Sequence, residues 1–441
     1  MNNAHHRCLR LIRVLAAAVC LCGGGFGAVV CGQALDMPGG EGVVTNTPSL
    51  APLFSTTPVA LPPRLASTSQ LAGPPPAGSA SAEPLLAWGP IDFRPHLFYS
   101  LSYGNGLQAT PGHQSNTLIN EIDPGMLFRL GDHWTLNYTP TLRFYSSKLF
   151  QDTWDNSVLL AGQTESRNWT VGFSQSYVSS SQPTVETASQ LDQETYSTTL
   201  NATYRMSTAL SLELAGNQSF QFVGQGASGE QLSDWRTWST MDWLNYQFGP
   251  NLGAALGAGF DYDNLSVGAD MTSEQVQGRI TWRAGKKLSL MASGGMQDRQ
   301  FLGTGVADFV APIFSLSAQY QVFEQTLLTL TASRTVSPAF FQNQITESSL
   351  VSVGLQQRLL GRLHLAVTTT YGTTSYQTTT AGPVSSIASN FDTTSLNVTL
   401  STTFLRRATA SVFYQLSYFT SASAIYDYST TQIGVAMGYG F

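Results

Sequence analysis

The chain has 441 residues, of which 42% are hydrophobic and only 11% charged, with a mean hydropathy of −0.03. An ordinary soluble domain carries about 25% charged residues, so this composition excludes a normal charged surface and leaves Ser, Thr, Asn, Gln and Gly to supply polarity. The formal net charge of −6 excludes the basic footprint of a nucleic-acid binder.

The segment 1–34 opens with Arg7, Arg10 and Arg13, continues through an apolar run from Val14 to Val30, and ends on Gly32, Gln33 and Ala34. A basic start, a short apolar stretch and a small-residue cleavage site describe a Sec signal peptide. A membrane anchor is the alternative, but Gly23, Gly24 and Gly25 break the run short of the roughly 20 apolar residues of a spanning helix. Cys8, Cys20, Cys22 and Cys31 all fall in this segment, so the mature chain holds no disulfide and no thiol chemistry. A lipid anchor on Cys31 is disfavoured by the bulky Val30 before it. Taking these three arginines from the 21 basic residues leaves 18 against 27 acidic, a mature net charge of −9.

Residues 35–90 contain eleven of the twenty prolines, including Pro74, Pro75 and Pro76. With Ala, Ser, Gly and Thr between them, they describe a disordered Pro-rich N-terminal tail.

From Ile91 to Phe441 the pattern changes. Trp134, Leu136, Tyr138, Leu142 and Phe144 alternate with Thr135, Asn137, Thr139, Thr141 and Arg143, the period of two that marks a strand with one apolar and one polar face. The same alternation runs through Trp169 to Phe173, Tyr196 to Tyr204, Leu210 to Phe222, Leu252 to Tyr262, Phe314 to Val322 and Val412 to Tyr418. Short polar turns separate pairs of strands at 131–133, 166–168, 206–208, 249–251, 285–287, 323–325, 360–362 and 405–407. Longer stretches, at Val223 to Ser233, Asp298 to Asp308, Ser337 to Asn343 and Thr373 to Asn390, fall between them. Post-turn positions recur about every 40 residues, the length of a hairpin plus a long loop. Eight turns give sixteen strands; an opening strand at Phe93 to Tyr103 and a closing one at Tyr428 to Phe441 make eighteen, with sixteen as the runner-up. Trp235 to Phe248 alternates ambiguously and is expected to hold a bulge.

A soluble sandwich guards its edges and wets its outer face with charge, lysine above all, and this chain has only Lys148, Lys286 and Lys287. A transmembrane antiparallel up-and-down β-barrel has no edges, and its polar face lines an interior where uncharged side chains suffice. Aromatics near strand ends, among them Trp134, Trp169, Tyr177, Tyr196, Tyr204, Tyr246, Tyr371 and Tyr439, fit interfacial girdles.

The last strand alternates Ile433, Val435, Met437, Tyr439 and Phe441 with Gln432, Gly434, Ala436, Gly438 and Gly440. This end resembles the signal that outer-membrane barrels present to the barrel-assembly machinery, with Tyr439 and Phe441 at its tip. With the leader, the tail and the hairpin array, the chain resembles the β-barrel porins of Gram-negative-type bacteria. The resemblance implies a bacterial outer-membrane location, lipid and small hydrophilic solutes as partners, room for a homotrimer, no cofactor and a passive pore. Exopolysaccharide export and adhesion are the alternatives.

Charges on strands that cross lipid are costly when they face outward. Glu121, Asp123, Arg129, Arg143, Arg205, Glu213, Asp242, Asp261, Arg279 and Arg283 are therefore the pore-lining candidates, acting to tune selectivity or to brace the wall. A barrel hydrolase would need a Ser, His and acid arrangement, and His96, His113, His133 and His364 stand beside no nucleophile motif. No paired His or Cys spacing suggests a metal. A barrel this wide leaves a channel unless the tail or the loop Thr373 to Asn390 folds inward.

Overall fold

Nineteen strands and no helix are present among the described residues. In the computed structural model these are 86–441 except 111–112, 184–189, 225–231, 304, 342, 380–389, 406 and 422–426. The signal segment 1–34 and the tail up to residue 85 lie outside them. A short strand β1 (Leu86–Trp88) pairs with the start of β2 (Ile91–Thr110). The others are β3 (His113–Leu130), β4 (Trp134–Tyr145), β5 (Thr153–Ser166), β6 (Trp169–Ser180), β7 (Gln193–Arg205), β8 (Leu210–Val223), β9 (Trp235–Gly249), β10 (Leu252–Leu265), β11 (Met271–Ala284), β12 (Leu288–Phe301), β13 (Phe309–Phe323), β14 (Thr326–Pro338), β15 (Gln344–Leu359), β16 (Leu363–Thr378), β17 (Phe391–Phe404), β18 (Ala408–Ser421) and β19 (Tyr428–Gly440).

Each strand from β2 to β19 is antiparallel to its sequence neighbours, and β19 returns to pair with β2 from Thr431↔Asn105 to Gly440↔His96. The sheet is thus a closed ring of eighteen strands with no free edge, and wall hydrogen bonds are satisfied strand to strand. All eight expected short turns join neighbouring strands at one end of the ring, where both the opening of β2 and the close of β19 also lie.

Closure gives the wall two distinct faces. Side chains at Ser100, Glu121, Arg143, Asp261 and Arg279 are at most 6% exposed, while Trp238, Leu244, Val353, Val412, Ile433 and Val435, of the opposite phase, are 39% exposed or more. A wall one strand thick has nothing outside to cover a side chain, so the buried polar face is the inner one and the apolar face is the outer one. Trp134, Trp169, Tyr196, Tyr246 and Tyr439 are exposed on the outer face near strand ends, where amphipathic rings favour a membrane interface; Tyr371, expected with them, lies mid-strand in β16.

One expectation about elements is met and others need correction. The stretch Trp235 to Phe248 holds a bulge at its end: β9 alternates buried and exposed residues from Trp235 to Leu244, and pairing with β10 runs from Leu252↔Gly249 to Gly253↔Gln247, passing over Phe248. Its ambiguity arose because aromatics occupy both faces, Trp235 and Trp243 within, Trp238 and Tyr246 without. Residues Asp298 to Phe301 and Thr373 to Thr378 are strand rather than loop.

Candidate functional site

The inner face divides into a charged sector and an uncharged one. On β3, β4 and β5 the Arg143 guanidinium bridges two carboxylates, with Nε 2.7 Å and Nη2 2.6 Å from Glu121 Oε2 and Nη1 2.8 Å from Asp155 Oδ2. The planar fork suits such a bridge, and the Ser181 N–H donates to Asp155 Oδ1 at 2.9 Å. Asp123, 2% exposed, stands two residues along β3 on the same face.

A second group spans β8, β9 and β11. Arg279 Nη2 donates to Glu213 Oε2 at 2.5 Å and to Asn245 Oδ1 at 2.6 Å, and its guanidinium lies 4.3 Å from the centre of the Trp243 ring, a cation–π stack. A third lies higher: Arg299 Nη1 donates to Asp263 Oδ2 at 2.9 Å, Thr237 to Asp263 Oδ1 at 2.6 Å, and Ser273 to Asp261 Oδ2 at 2.7 Å. The uncharged sector runs over β14 to β17, where Thr329, Ser352, Thr368, Thr370, Ser395 and Asn397 face inward.

Above the third group the β14–β15 hairpin leaves the wall. Pairing of β13 with β14 stops at Phe314↔Arg334, yet β14 and β15 remain paired up to Pro338↔Ile345. The hairpin tip folds across the barrel mouth. Val336, Phe340 and Ile345 pack with Trp235, Leu265, Met271, Phe301 and Ala311 from the inner wall of β9–β13, with 5.1 Å between the Trp235 and Phe340 ring centres. Polar contacts pin the tip: Arg299 Nη2 donates to the Val336 carbonyl at 3.1 Å, the Ser233 N–H donates to the Phe340 carbonyl at 2.9 Å, and Leu232 forms a bridge with Phe341. Asn343 takes the left-handed backbone (φ 55°), which asparagine tolerates better than most residues. Ser337 to Asn343 is thus an infolded tip, not the outward loop its sequence suggested. Residues 380–389 of the loop expected to fold inward lie outside the described residues.

Among the described residues nothing fills the interior. Leu159 and Leu350 sit mid-strand on the inner face and are 41% and 39% exposed, so water reaches the middle of the wall from inside.

Of the ten charged candidates, nine lie on the inner face. Glu121, Arg143, Glu213 and Arg279 are gathered into the groups above; Asp123 and Asp261 sit beside them; Arg129, Arg205 and Arg283 are exposed at the short-turn end. Asp242 is a correction. It pairs with Ala258 on the outer face, between the inward Met241 and Trp243, because β9 runs in the opposite phase to the one assumed. Sequence reasoning missed Asp155, Asp263 and Arg299. Asp263 keeps phase with Asp261 two residues on, a signal that was present; Asp155 and Arg299 lie where the apolar alternation had lapsed into apparent loop. Among the described residues no cluster of metal-ligating side chains is present.

No protein-family model matches the chain, and no curated protein does. Among solved structures it is similar to the copper transporter OprC (10% identity, 77% of this chain and 62% of that one, TM-score 0.39). It is also similar to OccK3 (OpdO) of Pseudomonas aeruginosa (12%, 79% and 96%, TM-score 0.41) and to the siderophore receptor PirA of Acinetobacter baumannii (8%, 79% and 80%, TM-score 0.42). The chain spans less than two thirds of the length of OprC.

Proposed function

We propose that this protein is a porin-like channel of the bacterial outer membrane, passing small hydrophilic solutes or ions by passive diffusion. The observation that carries the reading is a closed eighteen-strand wall, apolar outside, whose polar inner face is open to water at Leu159 and Leu350. Hydrocarbon accepts such an outer face because the wall strands pair with both neighbours around the ring up to the level at which β14 leaves β13, and a barrel of this strand number is wide enough to leave an aqueous passage. The infolded β14–β15 tip narrows that passage at the mouth away from the short turns. Ion pairs beneath it and the hydroxyl wall opposite set a transverse field that sorts solutes by charge.

In this reading Tyr439 and Phe441 form the assembly signal. The two rings lie 4.8 Å apart, edge to face, and the Phe441 N–H donates to the Pro95 carbonyl at 3.0 Å across the β19–β2 seam. Export to the outer membrane would use the Sec leader 1–34.

The test is single-channel recording of refolded residues 35–441 in a planar bilayer. Stable steps of nanosiemens order are expected. A folded, heat-modifiable barrel without conductance would show that the infolded tip closes the passage and would sink the channel reading.

A further inference from the structure

The pairing that satisfies the wall strand to strand is interrupted between β3 and β4. It runs from Ile119↔Tyr145 to Ile122↔Leu142 and resumes at Met126↔Tyr138, with no pair between. The register is the same on both sides of the gap and sets Pro124 opposite Pro140 within it. The Ser146 N–H donates to the Leu118 carbonyl at 2.9 Å, so even-numbered residues of both strands turn their backbone groups toward each other. Pro124 and Pro140 are among them, and neither has an N–H to give. Each proline carbonyl therefore faces the other strand without a donor.

Both rings lie on the outer face, since Pro124 pairs with outward Leu97 and Pro140 with Asn156. Pro124 is six residues from Leu130 and Pro140 six from Trp134, the short-turn ends of their strands. At about 3.4 Å per residue and a tilt of about 40°, the gap stands about 15 Å up the wall, inside an apolar band about 25 Å tall. Hydrocarbon supplies no donor there, and a peptide group left unsatisfied at that depth is costly.

The inner side of the gap adds more oxygen. Asp123 and Thr141, next to the two prolines, face inward with Phe98 and Asp155. Asp123 is 2% exposed, and neither of its carboxylate oxygens has a donor in hydrogen-bonding geometry. The Arg143 guanidinium, which could meet it, is taken up by Glu121 and Asp155. Three carboxylates thus face one guanidinium at this level, and a buried charge without a counter-ion is costly. Water from the inner side could serve the carbonyls but would not neutralise Asp123.

We propose that this break in the ladder is a cation site, in which the Pro124 and Pro140 carbonyls, the Asp123 carboxylate and the Thr141 hydroxyl hold one Ca2+ on the inner side of the wall. These are hard oxygen ligands, and Ca2+ takes carboxylate, carbonyl and water oxygen in about six to eight positions of flexible geometry. Mg2+ demands a near-ideal octahedron, which two carbonyls fixed in opposite strands are ill placed to give. The ion joins β3 to β4 where the ladder cannot. The inference rests on the closed wall and not on conduction: a barrel that binds Ca2+ without conducting would sink the channel reading and leave this one standing.

The test is calorimetric titration with Ca2+ of the protein extracted from outer membranes in detergent and stripped with a chelator. One Ca2+ per chain is expected, with a rise in unfolding temperature as the ion binds the folded state. Asp123→Asn should weaken binding by more than about tenfold, since even a partner one shell out from a metal is worth about that much, and should remove the rise. Pro140→Ala restores an N–H opposite the Pro124 carbonyl; it should unfold at a higher temperature than the native chain in chelator, yet bind Ca2+ more weakly. That variant separates loss of a ligand from misfolding. A native chain that takes up no Ca2+ would mean that water alone serves the carbonyls. Uptake that survives Asp123→Asn would belong to other carboxylates, and full native affinity in Pro140→Ala would take the carbonyls out of the shell. Each of these results would overturn the proposal.

Discussion

Arg143 is the residue on which the charged sector of the inner wall depends. Its guanidinium is 4% exposed and holds Glu121 and Asp155 on the two strands flanking its own. Removing one partner of a buried ion group leaves uncompensated charge and costs about 3–5 kcal/mol. Arg143→Gln is therefore expected to lower stability by about that much, read from urea unfolding in detergent followed by tryptophan fluorescence; a loss well under about 1 kcal/mol, the range of an exposed pair, would mean that water screens the group. Arg279 differs because Glu213 is 24% exposed, so screening discounts its ion pair. In the proposed channel its larger effect would be on permeation: Arg279→Gln leaves the Glu213 carboxylate on the inner face without that cation and is expected to shift the reversal potential in a salt gradient toward cations. At this scale the sequence was legible wherever one face was largely apolar, as on β4 and, but for Asn120, on β3, where alternation put Glu121, Asp123 and Arg143 on the inner side. It failed at Asp242, because tryptophans on both faces of β9 left the phase undetermined until strand pairing fixed it.

The infolded hairpin shows how an element can depart from the wall that its pattern describes. Thr335 to Pro338 and Ile345 to Ser348 still pair with each other as strands do, but the side chains that would have faced outward, Val336 and Ile345, cover inner-wall residues instead. Burial of Phe340 beside Trp235 drives this fold, and deleting a buried phenylalanine side chain costs about 3–5 kcal/mol. Because the tip can detach while the ring stays closed, Phe340→Ala is expected to leave unfolding of the barrel nearly unchanged and to raise single-channel conductance with added noise. Unchanged conductance would place the passage away from the tip. The hairpin array and every short turn were readable from period-two alternation and turn chemistry, since the apolar outer face and the polar inner face of the ring make opposite demands on successive residues. The fate of the tip was not, because a run such as Ala339, Phe340 and Phe341 looks the same whether it meets solvent or a wall of five other strands. Orientation is tested separately: protease added to intact cells should cut within Val223 to Ser233 or Thr373 to Asn390 before any short turn, and first cleavage at Gly285 to Lys287 would invert the topology.

Over the whole barrel, charge is sorted along the axis. The short-turn end carries Arg94, Arg129, Arg167, Arg205, Arg283, Lys286, Lys287, Arg358, Arg362 and Arg407 against Asp92, Asp132, Glu165 and Glu324. The opposite end carries Asp152, Asp192, Glu194, Asp234, Asp270, Glu274, Asp298, Asp308, Asp392 and Asp427 with Lys148 and Arg236 among the few cations. Pairwise bonds do not require such a separation; it makes one mouth cation-rich and the other anion-rich in counterions. When the long-loop side is made positive, cations from its acidic mouth and anions from the basic mouth are both driven into the lumen, and carriers accumulate; the reverse polarity depletes it. Current at low salt is therefore expected to be larger with the long-loop side positive. Because the screening length falls from about 10 Å at 0.1 M to about 3 Å at 1 M, the asymmetry should fade over that range. The check is a current–voltage curve at both salt concentrations, with insertion direction read from the side on which protease cuts the long loops. Asymmetry of the opposite sign, or asymmetry that survives 1 M salt, would mean that the infolded tip rather than axial charge controls the current.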